Sequence, residues 1–398
     1  MPDPTRGSVF EVCAAFLKLG LTSFGGPIAH LGYFHREIVV RRRWIDEAHY
    51  AQLIALCQFL PGPGSSQLGF SLGLLRAGWA GAIVAFLAFT LPSVVLLLAF
   101  ARLIPLLEQP YGQAALHGLK LLAVAVVAHG VVTMAQRLTP DLSRRCIALV
   151  AGIACIVSST AVVQIIVVTA GAIAGVLLCR NGRVHETVSF NVAYGVRTGA
   201  VLLALFAAVL AIALLLPATA SPLLSVAAAF CRAGALVFGG GHVVLPLLQE
   251  GIVSPGWVDP EEFLAGYGAA QAVPGPMFAF AAFLGARIHG AGGAVGALVS
   301  LIAIFLPGLL LVAGALPLWR SIASGEKAAR AIAGINASVV GLLAAALYDP
   351  VWKMSVHDGW DVVIALTGFG LLIATRLPVL IVLAGCVLAA VVRQGLTV

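Results

Sequence analysis

Two stretches of this chain repeat one another at a fixed distance. Phe24-Gly25-Gly26-Pro27 is matched 214 residues later by Phe238-Gly239-Gly240-Gly241. Trp44-Ile45-Asp46 is matched by Trp257-Val258-Asp259, and Gln58-Phe59-Leu60-Pro61-Gly62-Pro63 by Gln271-Ala272-Val273-Pro274-Gly275-Pro276, each 213 residues on. Gly and Pro breaking apolar helices at corresponding places in two halves is the pattern that marks the binding region of membrane transporters. The repeat predicts residues 8–180 as one half and 221–394 as its homologue. Residues 181–220 hold a basic linker and one extra apolar helix.

Apolar residues make up 61% of the 398, charged residues 10%, and the mean hydropathy is +1.05. Soluble domains carry about 25% charged residues, so this chain cannot cover its surface with polar groups. Runs such as Ala80–Ala101, Leu119–Met134, Ala200–Leu216 and Ala294–Leu316 suit a hydrocarbon core about 30 Å thick. The expected fold is an all-α polytopic membrane protein. Alternating segments of a membrane β-barrel are absent from the sequence. The polar start of the chain, with Glu11 and Lys18 in the apolar stretch after it, does not resemble a cleaved signal. The seven cysteines are scattered without a CxxC pair, and read as helix-packing residues.

The first elements of each half are short. Val9–Phe24 and Pro27–Val39 flank the first Gly-Gly, and Asp46–Leu60 and Pro63–Arg76 flank the Pro-Gly-Pro. A 15-residue helix is about 22 Å long, so each pair is a re-entrant hairpin or one broken span. Four longer helices follow in each half, and with the extra helix nine crossings are expected. Taking the pairs as hairpins opening inward in the first half and outward in the second puts sixteen Lys and Arg on the cytoplasmic side. Four fall outside, and Lys18, Lys120 and Arg232 stay at membrane depth, which accounts for all 23. The halves are then inverted repeats. The net charge of +7 reflects orientation in the bilayer, with no nucleic-acid partner implied.

The segment Leu60-Pro61-Gly62-Pro63-Gly64-Ser65-Ser66-Gln67 ends one helix and starts another, with Gly64 or Ser65 as N-cap. A helix start offers unpaired backbone N–H groups and positive potential, which suits a small oxyanion. The hydroxyls of Ser65 and Ser66 and the amide of Gln67 would add donors. Their repeat counterparts Phe278 and Ala279 are apolar, so the first half should make more of the polar contacts. Ser23, Gly25 and Gly26 form a similar break, and Gly239, Gly240 and Gly275 supply its counterparts in the second half. Gln58 and Gln271 precede the two Pro-Gly-Pro breaks. His30, Lys120, Asn336 (aligned with Lys120) and His242 complete the substrate-binding candidates. Arg36, Arg76, Arg232 and Arg287 are electrostatic or gating candidates, although Arg36 and Arg76 also suit a membrane edge. Glu37 and Asp46 are candidates for proton coupling, set against local ion pairing with Arg41-Arg42-Arg43. No Walker-type phosphate loop, HExxH or Cys/His metal spacing is present. No enzyme, cofactor or metal is expected.

The run FGGPIAHLGYFHREIVVRRRWIDEAHYAQLIALCQFLPGPGSSQLGFSLGLLRAGWAGA, with FGGGHVVLPLLQE and QAVPGP in the second half, closely resembles the chromate ion transporter family in its long, two-domain form. The resemblance covers both halves. It implies efflux of chromate from the bacterial cytoplasm across the inner membrane, and hence chromate resistance. Some members are associated with sulfate, which chromate mimics in shape and charge. A sulfate transporter and an oxyanion channel are the alternatives, and a homodimer is left open. One charge crossing 100 mV is worth about 2.3 kcal/mol. A dianion leaving an inside-negative cell therefore gains about 4.6 kcal/mol, roughly three decades of gradient.

Overall fold

The structure, a computed structural model, describes residues 7–107, 109–158, 161–179, 190, 192–216, 221–238, 243–319, 325–375 and 377–397. Among them every regular element is helical.

The first half begins with two hairpins. α1 (Val9–Thr22) is capped by Ser8, whose Oγ accepts from Phe10 N–H. It stops before Gly25, which takes a left-handed φ of 92°. α2 (Gly26–Phe34) follows and runs into a π turn, His35–Arg41. α3 (Glu47–Phe59) is capped by Asp46, which accepts from His49 N–H at 2.8 Å. It ends at Leu60, held extended by the proline that follows. α4 (Gly64–Leu103) bends back on itself at Ala77 and Gly78, where the backbone leaves helical geometry. The two arms touch so closely that a Cβ on Gly73 would lie 2.4 Å from the Gly81 carbonyl.

These hairpins return to the end of the molecule from which they start. Gly7 N–H donates to the Arg76 carbonyl at 3.0 Å. Arg42 and Arg76 both reach the Glu11 carboxylate, at 3.8 and 3.1 Å. The start of α1, the loop after α2 and the end of the first α4 arm therefore share one end of the molecule. Each hairpin turns at its Gly or Pro break and comes back.

The second half repeats this. α9 (Pro222–Leu236) is followed by α10 (Val244–Leu248) and a π turn, Gln249–Val253. α11 (Pro260–Ala272) and α12 (Phe280–Arg287) flank the second Pro-Gly-Pro, and α13 (Gly293–Ala315) follows. Gly285 lies against Gly296 as Gly73 lies against Gly81. Between the halves stands α8 (Val196–Leu215).

The remaining helices exchange partners. α5 (Pro110–Leu138), α6 (Leu142–Val157) and α7 (Ala161–Leu178) end the first half. α14 (Glu326–Ala346), α15 (Gly359–Ala374) and α16 (Val379–Thr397) end the second. α5 packs on α15 and α16, whereas α14 packs on α6 and α7. The contacts correspond: a Cβ on Gly118 would lie 2.6 Å from Val387 Cα, and one on Gly334 would lie 1.9 Å from the Gly171 carbonyl. Small residues let the backbones approach in this way, as in other membrane helix pairs.

Among the described residues six helical stretches are long and apolar enough to span a membrane: Gly64–Leu107, Pro110–Leu138, Val196–Leu215, Gly293–Leu318, Glu326–Ser355 and Val379–Leu396. α6, α7 and α15 are shorter, at 16, 18 and 16 residues. Ile83, Leu87, Leu91 and Val95 form one exposed apolar stripe along α4, which suits hydrocarbon rather than water.

Candidate functional site

The two halves cross and pair reciprocally beside their helix breaks. Gly62 N–H donates to the Val237 carbonyl at 2.7 Å, and Gly275 N–H donates to the Ser23 carbonyl at 2.9 Å. Gly62 and Gly275 are repeat equivalents, and so are Ser23 and Val237. Each Pro-Gly-Pro tip of one half thus closes on the residue that follows the first helix of the other, Ser23 or Val237. Both tip glycines have positive φ, 124° at Gly62 and 95° at Gly275. There is no room for a side chain. A Cβ on Gly62 would lie 3.0 Å from Gly308 Cα, and one on Gly275 would lie 2.9 Å from Ser93 Oγ. Pro92 in α4 and Pro307 in α13 sit at matching places beside these contacts. A helix-interior proline removes one backbone hydrogen bond.

The first half brings polar groups to this crossing. α4 starts at Gly64 with Pro63 as N-cap and no side-chain cap. Gly64 and Ser65, expected as caps, are already helical. The first intrahelical bond is Gln67 N–H to the Pro63 carbonyl. The N–H groups of Gly64, Ser65 and Ser66 therefore precede the ladder. Ser65 and Ser66 are buried, and Ser66 Oγ has no hydrogen-bond partner. Ser23 Oγ is likewise buried and unpartnered. His30 is buried on α2 with its ring edge-on to Phe89, centroids 5.4 Å apart; neither ring nitrogen makes a hydrogen bond of good geometry, and the Ser23 backbone lies near the ring. Thr90, which the sequence does not single out, adds a buried, unpartnered Oγ1 beside Phe89. On the second-half side, Met277, Phe278 and Ala279 make the corresponding wall apolar.

Several expectations change. The Gln67 amide is not a spare donor. Its Nε2 donates to the carbonyls of Pro61 at 2.9 Å and Gly308 at 3.0 Å, leaving a buried Oε1 that can only accept. Gln58 is exposed, because α3 buries Tyr50, Leu53, Leu56 and Cys57. Its counterpart Gln271 is buried, with Nε2 at 2.9 Å from Met277 Sδ. Lys120 is buried but directed at Glu261, 3.5 Å away at the start of α11. Asn336 has a buried, unpartnered Oδ1 on α14. Gly25 and Gly26 form the left-handed turn before α2. Gly239, Gly240 and His242 lie outside the described residues.

The charged candidates belong to other places. Arg36 is exposed on the π turn. Arg287 Nε donates to Glu262 at 3.0 Å. Glu37 is buried in a cage of cations: Lys18 at 2.7 Å, Arg42 at 2.8 Å and Arg41 at 3.2 Å. Burial alone would raise its pKa, but the hydrogen bonds from Lys18, Arg42 and Arg41 outweigh it and hold the group at about 2. Beside it Glu11 joins Arg42, Arg76 and the Trp44 indole N–H, and both guanidinium groups stack over the Trp44 ring. Asp46 is bonded to His49 through its backbone N–H and ring, which lowers its pKa. This network closes the end at which the first-half hairpins emerge. Arg232 lines a cavity of about 540 Å³ on the other hairpin. Among the described residues no group of three or more His, Cys, Asp or Glu could hold a metal ion.

The family model for the chromate transporter matches residues 10–176 and again 224–391. A probable chromate transport protein of Synechococcus elongatus is 32% identical over 88% of this chain and 86% of its own length. The chromate transport protein of Pseudomonas aeruginosa is 30% identical over 87% and 82%, and that of Cupriavidus metallidurans is 27% identical over 96% and 92%. No solved structure matches the chain. With both halves matched and the relatives aligned along most of their length, this multi-pass membrane protein belongs to the chromate transporter family.

Proposed function

We propose that the chain is a secondary transporter that carries chromate out of the cytoplasm across the bacterial inner membrane. The observation that carries this reading is the reciprocal pairing of the two Pro-Gly-Pro tips with Val237 and Ser23, each at the end of the first helix of the opposite half. Such a joint holds two equivalent hairpin pairs together at one depth, where rocking of one against the other would expose a central ligand to either side in turn. The anion's place is the start of α4, among the N–H groups of Gly64, Ser65 and Ser66 and the hydroxyls of Ser23, Ser65 and Ser66.

An inverted arrangement of the halves is supported by contacts at the two ends. Trp79 stacks on Tyr194, whose hydroxyl donates to the Ala313 carbonyl late in α13. The first-half hairpins emerge at this end. Lys120 meets Glu261 at the other end, where α11 begins. The Lys and Arg bias orients the first end toward the cytoplasm, and the outward drive on a dianion then comes from the membrane potential.

The test is radiolabelled chromate flux in proteoliposomes holding only this protein, with potential and pH gradient imposed separately and sulfate as competitor. Flux that follows the potential, with chromate preferred, is expected. Flux of sulfate without chromate would overturn the substrate, and flux requiring the pH gradient would overturn the drive.

A further inference from the structure

The cavity of about 540 Å³ lies among helices mostly of the second half. Its walls come from the first hairpin of the second half (α9, α10 and the π turn), from α7 and from α14, with Pro255 and Trp257 of the loop before α11. Leu236, which also lines it, precedes Val237, whose carbonyl receives the Gly62 N–H, so one side of the cavity lies next to the crossing of the halves.

One cation faces this space. Arg232 sits two-thirds of the way along α9, and it makes no ion pair or hydrogen bond among the described residues. Its repeat counterpart, 214 residues earlier, is Lys18, which is neutralised by Glu37. Opposite Glu37 the second half has Gly251 at a separation of 214 and Glu250 at 213, and both line the cavity with Arg232. Glu250, one residue earlier, accepts from Ser254 Oγ at 3.3 Å. Gln164 and Thr169 of α7 add polar groups to an otherwise mostly apolar wall. A guanidinium at this depth attracts a compact oxyanion strongly, because little water screens it.

We propose that this cavity is a second oxyanion-binding site, a vestibule in which Arg232 holds the chromate dianion next to the central crossing. The proposal rests on the transport reading above. It gives the repeat a physical meaning: of two equivalent cations, Lys18 pairs with Glu37 and Arg232 faces a cavity.

The experiment places a cysteine at Thr169→Cys after all seven native cysteines are replaced, in liposomes. Modification rates are compared for an anionic and a cationic methanethiosulfonate, with and without chromate, and chromate flux is measured on the same preparation. Chromate should slow the modification. Arg232→Gln should lower the anionic-to-cationic rate ratio about tenfold, as loss of one charge-assisted contact implies, and remove the protection. Arg232→Lys should keep part of both. Flux without protection, or protection that survives Arg232→Gln, would overturn the vestibule and leave the transport reading standing. Protection without flux would support the vestibule and overturn the transport reading. Absence of both would overturn both. A rate ratio that depends on phosphatidylglycerol in the vesicles, and not on chromate, would assign the cavity to a lipid headgroup and overturn the proposal. Radiolabelled chromate binding to Arg232→Gln with native cysteines checks the result independently of cysteine replacement, with weakened binding expected.

Discussion

Single atoms decide what the crossing can hold. Ser66 Oγ and Ser23 Oγ are buried without a partner, and a buried hydroxyl left unpaired costs about 1–3 kcal/mol. A tetrahedral dianion relieves that cost while receiving donors. Replacing both Ser65 and Ser66 by Ala is expected to weaken chromate binding about tenfold or more, since hydrogen bonds to charged groups contribute about 1.5–3 kcal/mol each. Equilibrium binding on the purified variant, with its unfolding temperature as a folding control, checks this. Unchanged affinity would remove the site. The serines were readable in the sequence because they follow a proline break and have apolar counterparts at Phe278 and Ala279. The employment of Gln67 was not, since its acceptor on Gly308 lies 241 residues away. Thr90 gave no signal in the sequence beyond its neighbour Pro92, which repeats at Pro307.

At the scale of elements, the hairpins depend on where their ends are tied. Gly-Gly and Pro-Gly-Pro foretell the breaks, but not the direction taken after them. The direction comes from the charge network, where Arg76 and Arg42 bring three chain segments to Glu11. Local pairing of Glu37 with Arg41 and Arg42 was legible from spacing, whereas Lys18 was recognised only as a cation at membrane depth. Glu37→Gln should destabilise the protein by about 1–3 kcal/mol, less than for a fully buried pair because Lys18 and Arg41 are half exposed. The sign with pH follows from the pKa. Held at about 2, below its ordinary 4.5, Glu37 contributes fully above about pH 4.5 and loses that contribution as pH falls toward 2. The difference in unfolding temperature between the native protein and Glu37→Gln should therefore stay level from about pH 5 to 8 and shrink below. A difference that grows on acidification would contradict the cage.

Across the whole molecule the repeat is more than a duplication, because each half completes the other. The separation of matching motifs foretold two homologous units, yet no periodicity reveals that α5 rests on α15 and α16 while α14 rests on α6 and α7. Leu122 and Val126 of α5 are buried, and Val382 and Cys386 of α16 pack in the same cluster. A first half made alone would leave that face without its cover. The close approach of Gly118 to Val387 would be lost as well. Residues 1–180 and 181–398 produced separately are thus expected to aggregate or be degraded. Produced together as two chains, they should purify as one monodisperse complex, because the contacts between halves need no covalent linker once both are in the same bilayer. Size-exclusion chromatography and chromate flux on the co-expressed pair give the check. A first half that is stable and monomeric by itself would show that the exchanged packing contributes little. An inactive but well-formed pair would place the requirement on the segment 181–220 that joins the halves.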